Sequence, residues 1–386
     1  MRNARLSVLV AVATFALIDA ASSQEVGPLA IAKQGYFFVG GKYVDTAEYG
    51  RVTAGQAYVE YQIPQNRTQP LPVIMIAGGG LSGANFTGTP DGRDGWVQYF
   101  LARGYAVYVI DQVGRGRAAY VTPAYGPPRL FNVKYLEEYF IAPERYGHWP
   151  QARLHTQWPG SGTVGDPIFD QLMAQRLTDM GDLTQREELN RDATAALLDK
   201  IGPAILITHS QSGAYSWAIA DVRPALVKGI VGIEAGGPPF YEVLFPGPPD
   251  WFKDGKITKP WGLNYSKVTY APAAADPSEL AIVRQEKPDG SDLVRCWLQK
   301  EPARQLPNLK GIPILLLTTE ASFHVAYDHC ASLYLKQAGV DNEFIRLPDL
   351  GIHGNGHYMM FEKNSLQIAG VIADWLQKKV NVAKAQ

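Results

Sequence analysis

Six short apolar runs recur along the chain, at residues 72–77, 105–110, 204–208, 229–233, 312–318 and 344–347. The first, Pro72-Val73-Ile74-Met75-Ile76-Ala77, is apolar at every position and ends in three glycines. Runs of this length, without in–out alternation, are strands buried on both faces. Helical patterns lie between them. Trp96, Val97, Phe100 and Leu101 share one face, as do Leu189, Ala193, Ala196 and Leu197, and finally Ile368, Val371, Ile372 and Trp375. Strands that alternate with helices need a cover on each side, which predicts an α/β fold with a mostly parallel central sheet and helices on both faces. Residues 37–44 and 57–63, rich in Tyr, Phe and Val, read as an opening pair of strands.

Two stretches break the rhythm, 117–183 and 237–310. Both are dense in Pro, Gly and aromatics, among them Tyr120, Tyr125, Phe131, Trp149 and Trp158 in the first and Phe240, Trp251 and Trp261 in the second. Connections this long are usually functional. Each starts at the C-terminal end of a strand, where ligands bind in open α/β sheets. They are expected to form an aromatic-rich cap over one site, within a single domain spanning residues 24–386.

At 386 residues and 46% hydrophobic, the chain is long enough for a sizeable core, and a net charge of −1 carries no footprint of nucleic acid or of an anionic membrane. Arg2 and Arg5 precede an apolar run from Leu6 to Ile18, and the small residues Ala21, Ser22 and Ser23 follow. That is the pattern of a signal peptide over residues 1–23, so export is expected, either to the periplasm or outside the cell, with no membrane association afterwards. In an oxidising compartment Cys296 and Cys330, an even pair, are expected to form a disulfide, the other reading being two buried thiols. Asn66, Asn85 and Asn264 fit the glycosylation pattern.

Residues that could carry chemistry cluster at the strand ends. His209-Ser210-Gln211-Ser212-Gly213 lies between a buried strand and a helix over about 213–222. A serine at such a corner is lifted above the sheet as a nucleophile. Ser210 fits that position and Ser212 competes with it. Gly78-Gly79-Gly80 follows another strand, where backbone amides can approach a developing oxyanion together with the amide of Gln211. His353-Gly354-Asn355-Gly356-His357 follows the last strand and supplies the base, His357, with His353 as the alternative. The acid is Glu234, at the end of a buried strand among small residues; Glu320, Asp349 and Asp111 are the other candidates. A titrating histidine base predicts a rate that rises with pH through the imidazole range, about pH 6–7.

Together with Thr89-Pro90-Asp91-Gly92-Arg93-Asp94-Gly95-Trp96 and Asp111-Gln112-Val113-Gly114-Arg115-Gly116-Arg117, these motifs resemble the α/β-hydrolase superfamily over roughly residues 34–380. Within it they resemble secreted serine esterases whose acid is a Glu after strand six. The resemblance implies a carboxylesterase with Ser210, His357 and Glu234 as triad and Gly79 and Gln211 as oxyanion donors. It implies a small-molecule ester substrate and no metal or organic cofactor. Lactonases and acyltransferases share this chemistry, and a binding protein could keep the fold without it. Related sequences can carry a His before the oxyanion glycines or a cysteine pair within them, whereas here those positions are Ala77, Gly79 and Gly80.

Overall fold

The computed structural model describes residues 26–381, and the expected signal peptide lies outside them. Eight strands make the main sheet: β1 (Ile31–Thr46), β2 (Gly50–Pro64), β3 (Val73–Ile76), β4 (Val107–Asp111), β5 (Ala204–His209), β6 (Val227–Ile233), β7 (Ile314–Thr318) and β8 (Glu343–Arg346). Their spatial order is β1-β2-β4-β3-β5-β6-β7-β8. β2 runs antiparallel to both β1 and β4, and every pairing from β4 across to β8 is parallel. The principal helices are α1 (Trp96–Ala102), α2 (Pro167–Ala174), α3 (Leu183–Ile201), α4 (Ser212–Val222), α5 (Asp328–Gln337) and α6 (Ser365–Lys379).

The strands are apolar throughout because each face has a cover. Ile74, Ile76, Leu206, Ile230 and Leu316 point into one core with Leu197 and Leu198 of α3, Trp217 of α4 and Leu335 of α5. Their neighbours Val73, Met75, Ile205, Ile207, Val231, Leu315 and Leu317 point into the other, with Trp96 and Phe100 of α1, Leu172 of α2 and Ile368, Ile372 and Trp375 of α6. Each such fully buried side chain contributes about 1.5–3 kcal/mol, so neither layer is dispensable. β1 and β2 run beyond the expected 37–44 and 57–63. Their backbone ladder continues where residues such as Lys33, Tyr36 and Asp45 stand exposed and no apolar pattern marks the strand.

The two long connections are irregular, with small sheets of their own. The second contains a hairpin of Phe240–Leu244 with Lys253–Lys259, and a pair of Ile282–Arg284 with Trp297–Gln299. Cys296 next to that pair is disulfide-bonded to Cys330 in α5, which ties the connection to the body of the protein. Of the three glycosylation patterns, Asn66 alone is exposed. Asn85 is buried, and the Asn264 amide donates to Glu187 Oε1 at 3.1 Å and to the Ala214 carbonyl at 2.8 Å.

Candidate active site

Ser210 leaves β5 at φ 55°, a left-handed conformation that costs a non-glycine residue of order 1 kcal/mol or more and has to be held by its surroundings. Its amide donates to the Ile233 carbonyl at 2.9 Å and its carbonyl accepts from Gly213 N at 2.8 Å. Small residues are obligatory here. A Cβ on Gly213 would lie 2.4 Å from Ala235 Cα, and one on Gly78 would lie 2.9 Å from His209 Nδ1. Ser212 has a different task. Its buried hydroxyl accepts from His209 N at 3.0 Å and lies 2.8 Å from the Ile76 carbonyl, pinning the turn to β3.

His357 Nε2 lies 2.9 Å from Ser210 Oγ, and His357 Nδ1 lies 2.5 Å from Glu234 Oε2. Glu234 turns inward at φ 45° where β6 ends, its amide donating to the Leu317 carbonyl at 2.9 Å. Its Oε1 accepts from Thr319 N at 3.1 Å and from Thr319 Oγ1 at 2.6 Å, and its Oε2 accepts from Ser322 Oγ at 2.7 Å. Ser322, in the loop after β7, therefore supports the carboxylate that the end of β6 supplies. Burial opposes the charge on Glu234, but the His357 hydrogen bond and attraction outweigh it and hold the carboxyl at about 2. Burial pushes His357 the other way, down to about 4, with the neighbouring His324 acting in the same direction and Glu234 against it. The pair therefore rests as carboxylate and neutral imidazole.

The alternatives lie elsewhere. Exposed His353 pairs with Glu320 at 2.9 Å, and Glu320 also accepts from Gly354 N at 2.8 Å, so both clasp the loop away from Ser210. Asp111 accepts from Gly83 N at 2.7 Å and Arg117 Nε at 2.8 Å, closing the loops after β3 and β4. Asp349 lies in the turn Leu347–Leu350 after β8.

Several buried polar groups around the site carry no periodic signal. The carbonyls of Ala77, Gly78 and Gly79 accept from Gln112 Nε2 at 2.5 Å, Arg115 Nη1 at 2.9 Å and Arg176 Nη2 at 2.9 Å. The glycine loop is thus held by its carbonyls, while the amides of Gly79 and Gln211 donate to no group among the described residues. The Gln211 side chain is anchored in turn. Its Nε2 donates to Asp179 Oδ2 at 2.7 Å, and Asp179 also pairs with Arg115 at 2.5 Å and Arg186 at 2.8 Å. His324, stacked on His357 with ring centroids 4.7 Å apart, is bonded through Nδ1 to Asp328 at 2.8 Å. Glu234, His324 and His357 bring ligand-type atoms within 4.8 Å of one another. As a metal site the set is poor, because Glu234, Asp328 and Ser210 already occupy three of its four imidazole nitrogens.

The loop that carries His357 is clamped from below. Glu362, fully buried, accepts from Gly356 N at 2.8 Å and Asn355 Nδ2 at 2.6 Å and meets His155 Nε2 at 2.7 Å; Glu144 takes His155 Nδ1 at 3.0 Å. Burial opposes a charge on His155, but the two carboxylates outweigh it and raise it to about 9. With the folded value above the ordinary 6.5, the clamp is fully stabilising below about pH 6.5 and is lost as pH rises through about 9. A shift of that size corresponds to about 3 kcal/mol. We expect His155→Gln to melt well below the parent at pH 6 and the gap to narrow by pH 10; a gap independent of pH would count against a charged clamp.

Ser210, His357, Gly79 and Gln211 border a cavity of about 460 Å³. Both long connections contribute to its wall, the first with Phe131, Tyr139 and Phe140 and the second with Phe245 and Lys259. A serine hydroxyl on a strained turn, a neutral imidazole, a buried carboxylate and two amides without a partner among the described residues thus converge on one aromatic cavity at the C-terminal ends of β3, β5 and β6. No family model matches the chain. It is 46% identical over 345 residues to a curated protein named "Probable secreted lipase phiG" from Fungal sp. (strain ATCC 74256), spanning 89% of each chain. A solved structure described as a novel bacterial esterase superposes with a TM-score of 0.61 at 27% identity, over 92% of this chain and 98% of that one. With nearly nine-tenths of both sequences aligned to the fungal protein and the sheet order of the fold in place, the chain belongs to the α/β-hydrolase family of esterases and secreted lipases.

Proposed function

We propose that the protein is an exported serine carboxylesterase working through an acyl-enzyme. The observation that carries this reading is the unbroken hydrogen-bonded line from Ser210 Oγ through His357 to Glu234, opening on the cavity. Ser210 Oγ attacks the ester carbonyl carbon while its proton passes to His357 Nε2. The Gly79 and Gln211 amides receive the negative charge that develops on the carbonyl oxygen; one such donor is worth about 10²–10³ in turnover. His357 then protonates the departing alcohol and, in the second half, takes a proton from the water that releases the acid. Glu234 holds the Nδ1–H tautomer and stabilises the imidazolium. The two long connections act as the cap that supplies the cavity wall. Export is supported by the signal-type residues at 1–23, by the disulfide and by the secreted relative.

The test is labelling with a fluorophosphonate, located by mass spectrometry, alongside hydrolysis of simple 4-nitrophenyl esters. Modification at Ser210 and loss of turnover are expected together. A protein that neither labels nor hydrolyses any ester would sink the proposal.

A pH profile gives a second check. The base works in its neutral form, which exists above its own pKa, and burial lowers that value to about 4. The acid limb of kcat/KM is therefore expected well below the ordinary imidazole range, with activity retained at pH 5.5. A limb centred between pH 6 and 7, as the residue type alone predicts, would mean that His357 is solvated in the working enzyme.

A further inference from the structure

The cavity wall holds more positive than negative charge, and the excess is unpaired. Arg129, Arg176, Arg186 and Lys259 line it against one carboxylate, Glu242. Asp179 accounts for Arg186. Nothing comparable accounts for Lys259. Its side chain is buried, its amine donates to the Pro238 carbonyl at 3.1 Å, and among the described residues no carboxylate lies at pairing distance. Glu187, Glu242 and Asp328 act on it only from further away. Arg176 is similar. Its Nη1 donates to the Tyr358 hydroxyl at 2.8 Å and its Nη2 to the Gly79 carbonyl at 2.9 Å, both neutral acceptors, while its Nε is buried without a partner. Phe131 packs against the guanidinium at 4.5 Å. Arg129, exposed, lines the same cavity.

An unpaired buried cation is costly, and a protein interior ordinarily supplies its counter-ion. Lys259 is such a cation, and it stands on the wall of the cavity that Ser210 borders, with the half-buried Arg176 held by neutral acceptors on the same wall, which leaves the counter-ion to the occupant. Burial pushes Lys259 down only to about 8, so the amine is still largely charged at neutral pH. We propose that the ester taken by this site carries a carboxylate of its own, seated on Lys259 and Arg176, with its apolar part against the aromatic wall around Phe140 and Phe323. The inference rests on the reading of Ser210 as an esterase nucleophile and adds the substrate class.

Two matched pairs test it. Mono-4-nitrophenyl adipate and 4-nitrophenyl hexanoate differ by a carboxylate in place of the terminal methyl of the acyl chain. 4-(Butyryloxy)benzoate and its methyl ester place the difference on the alcohol. In at least one pair the anion should be favoured about tenfold or more in kcat/KM, chiefly through KM. Lys259→Met and Arg176→Met should each bring that ratio down about tenfold, and Lys259→Arg should keep it. Reading a ratio separates loss of anion recognition from a general loss of competent enzyme. Neutral esters favoured in both pairs, or a ratio unmoved by Lys259→Met, would overturn the inference. Fluorophosphonate labelling of the same preparations separates the two readings. Labelled enzyme without anion preference removes this inference and leaves the esterase standing, whereas unlabelled enzyme inert to all four esters removes both.

Discussion

Ser210→Ala is expected to lose ester turnover by several powers of ten with little change in melting temperature, whereas Ser212→Ala should keep turnover and melt earlier. The two hydroxyls are two residues apart in the chain but have separate environments. Ser210 Oγ borders the cavity, and His357 Nε2 is its hydrogen-bond partner. Removing it deletes that hydroxyl and one hydrogen bond to His357 Nε2 but leaves the backbone bonds of the turn in place, so the fold has little reason to weaken. Ser212 Oγ is buried, bonded to His209 N and within reach of the Ile76 carbonyl. Its loss strands a backbone amide inside the elbow, at a cost of about 1–3 kcal/mol. A dead but stable Ser212→Ala beside an active Ser210→Ala would assign the nucleophile to the other serine.

What could be read in advance follows from how each residue signals itself. The parallel strands were legible because Ile74, Leu206 and Val231 meet apolar cover on both faces, so whole runs lose their polar residues. Ser210 and His357 were legible because a strand–serine–helix corner and a late glycine-flanked histidine are local patterns. Glu234 stood out among the candidate carboxylates by its place at the end of a buried strand among small residues. The Arg115–Asp179–Arg186 network gave no such signal. Its partners are buried but polar, and Arg115 and Asp179 are 64 residues apart, so periodicity reads them as loop residues. The same holds for His155 and Glu362, 207 residues apart, and for Arg115 between Gly114 and Gly116, whose guanidinium holds the Gly78 carbonyl. His324 and Asp328 fall in an unremarkable helix start. The displaced titration of His357 was equally hidden, because residue type supplies the ordinary value and only the packed structure supplies the burial.

The two candidate carboxylates should separate sharply on amidation: Glu234→Gln is expected to fold yet lose turnover by up to about 10⁴, the cost of the analogous change in another triad, and Glu320→Gln to lose little. Every neighbour of the Glu234 carboxylate is a donor. Thr319 N and Thr319 Oγ1 give to Oε1, and Ser322 Oγ and His357 Nδ1 give to Oε2. A glutamine offers one oxygen and one NH₂ in the same shape. With the oxygen kept on Thr319, the NH₂ faces His357 and must be accepted by Nδ1, which forces the ring proton to Nε2. That tautomer presents N–H to Ser210 and cannot take its proton. With the amide reversed, the NH₂ opposes the Thr319 amide, two donors facing each other in a buried site, and the imidazolium still lacks its counter-charge. The first arrangement removes the base function and the second weakens it, while both leave most packing intact. Glu320 has no such role to lose. It meets the exposed His353 ring and one backbone amide, and an exposed pair of that kind is worth about 0–1 kcal/mol. Turnover of both variants, measured beside a melt of each, decides the matter. A crippled Glu320→Gln with a nearly unimpaired Glu234→Gln would move the acid to the end of β7 and leave the buried carboxylate on β6 as a structural anchor for the loop after β7.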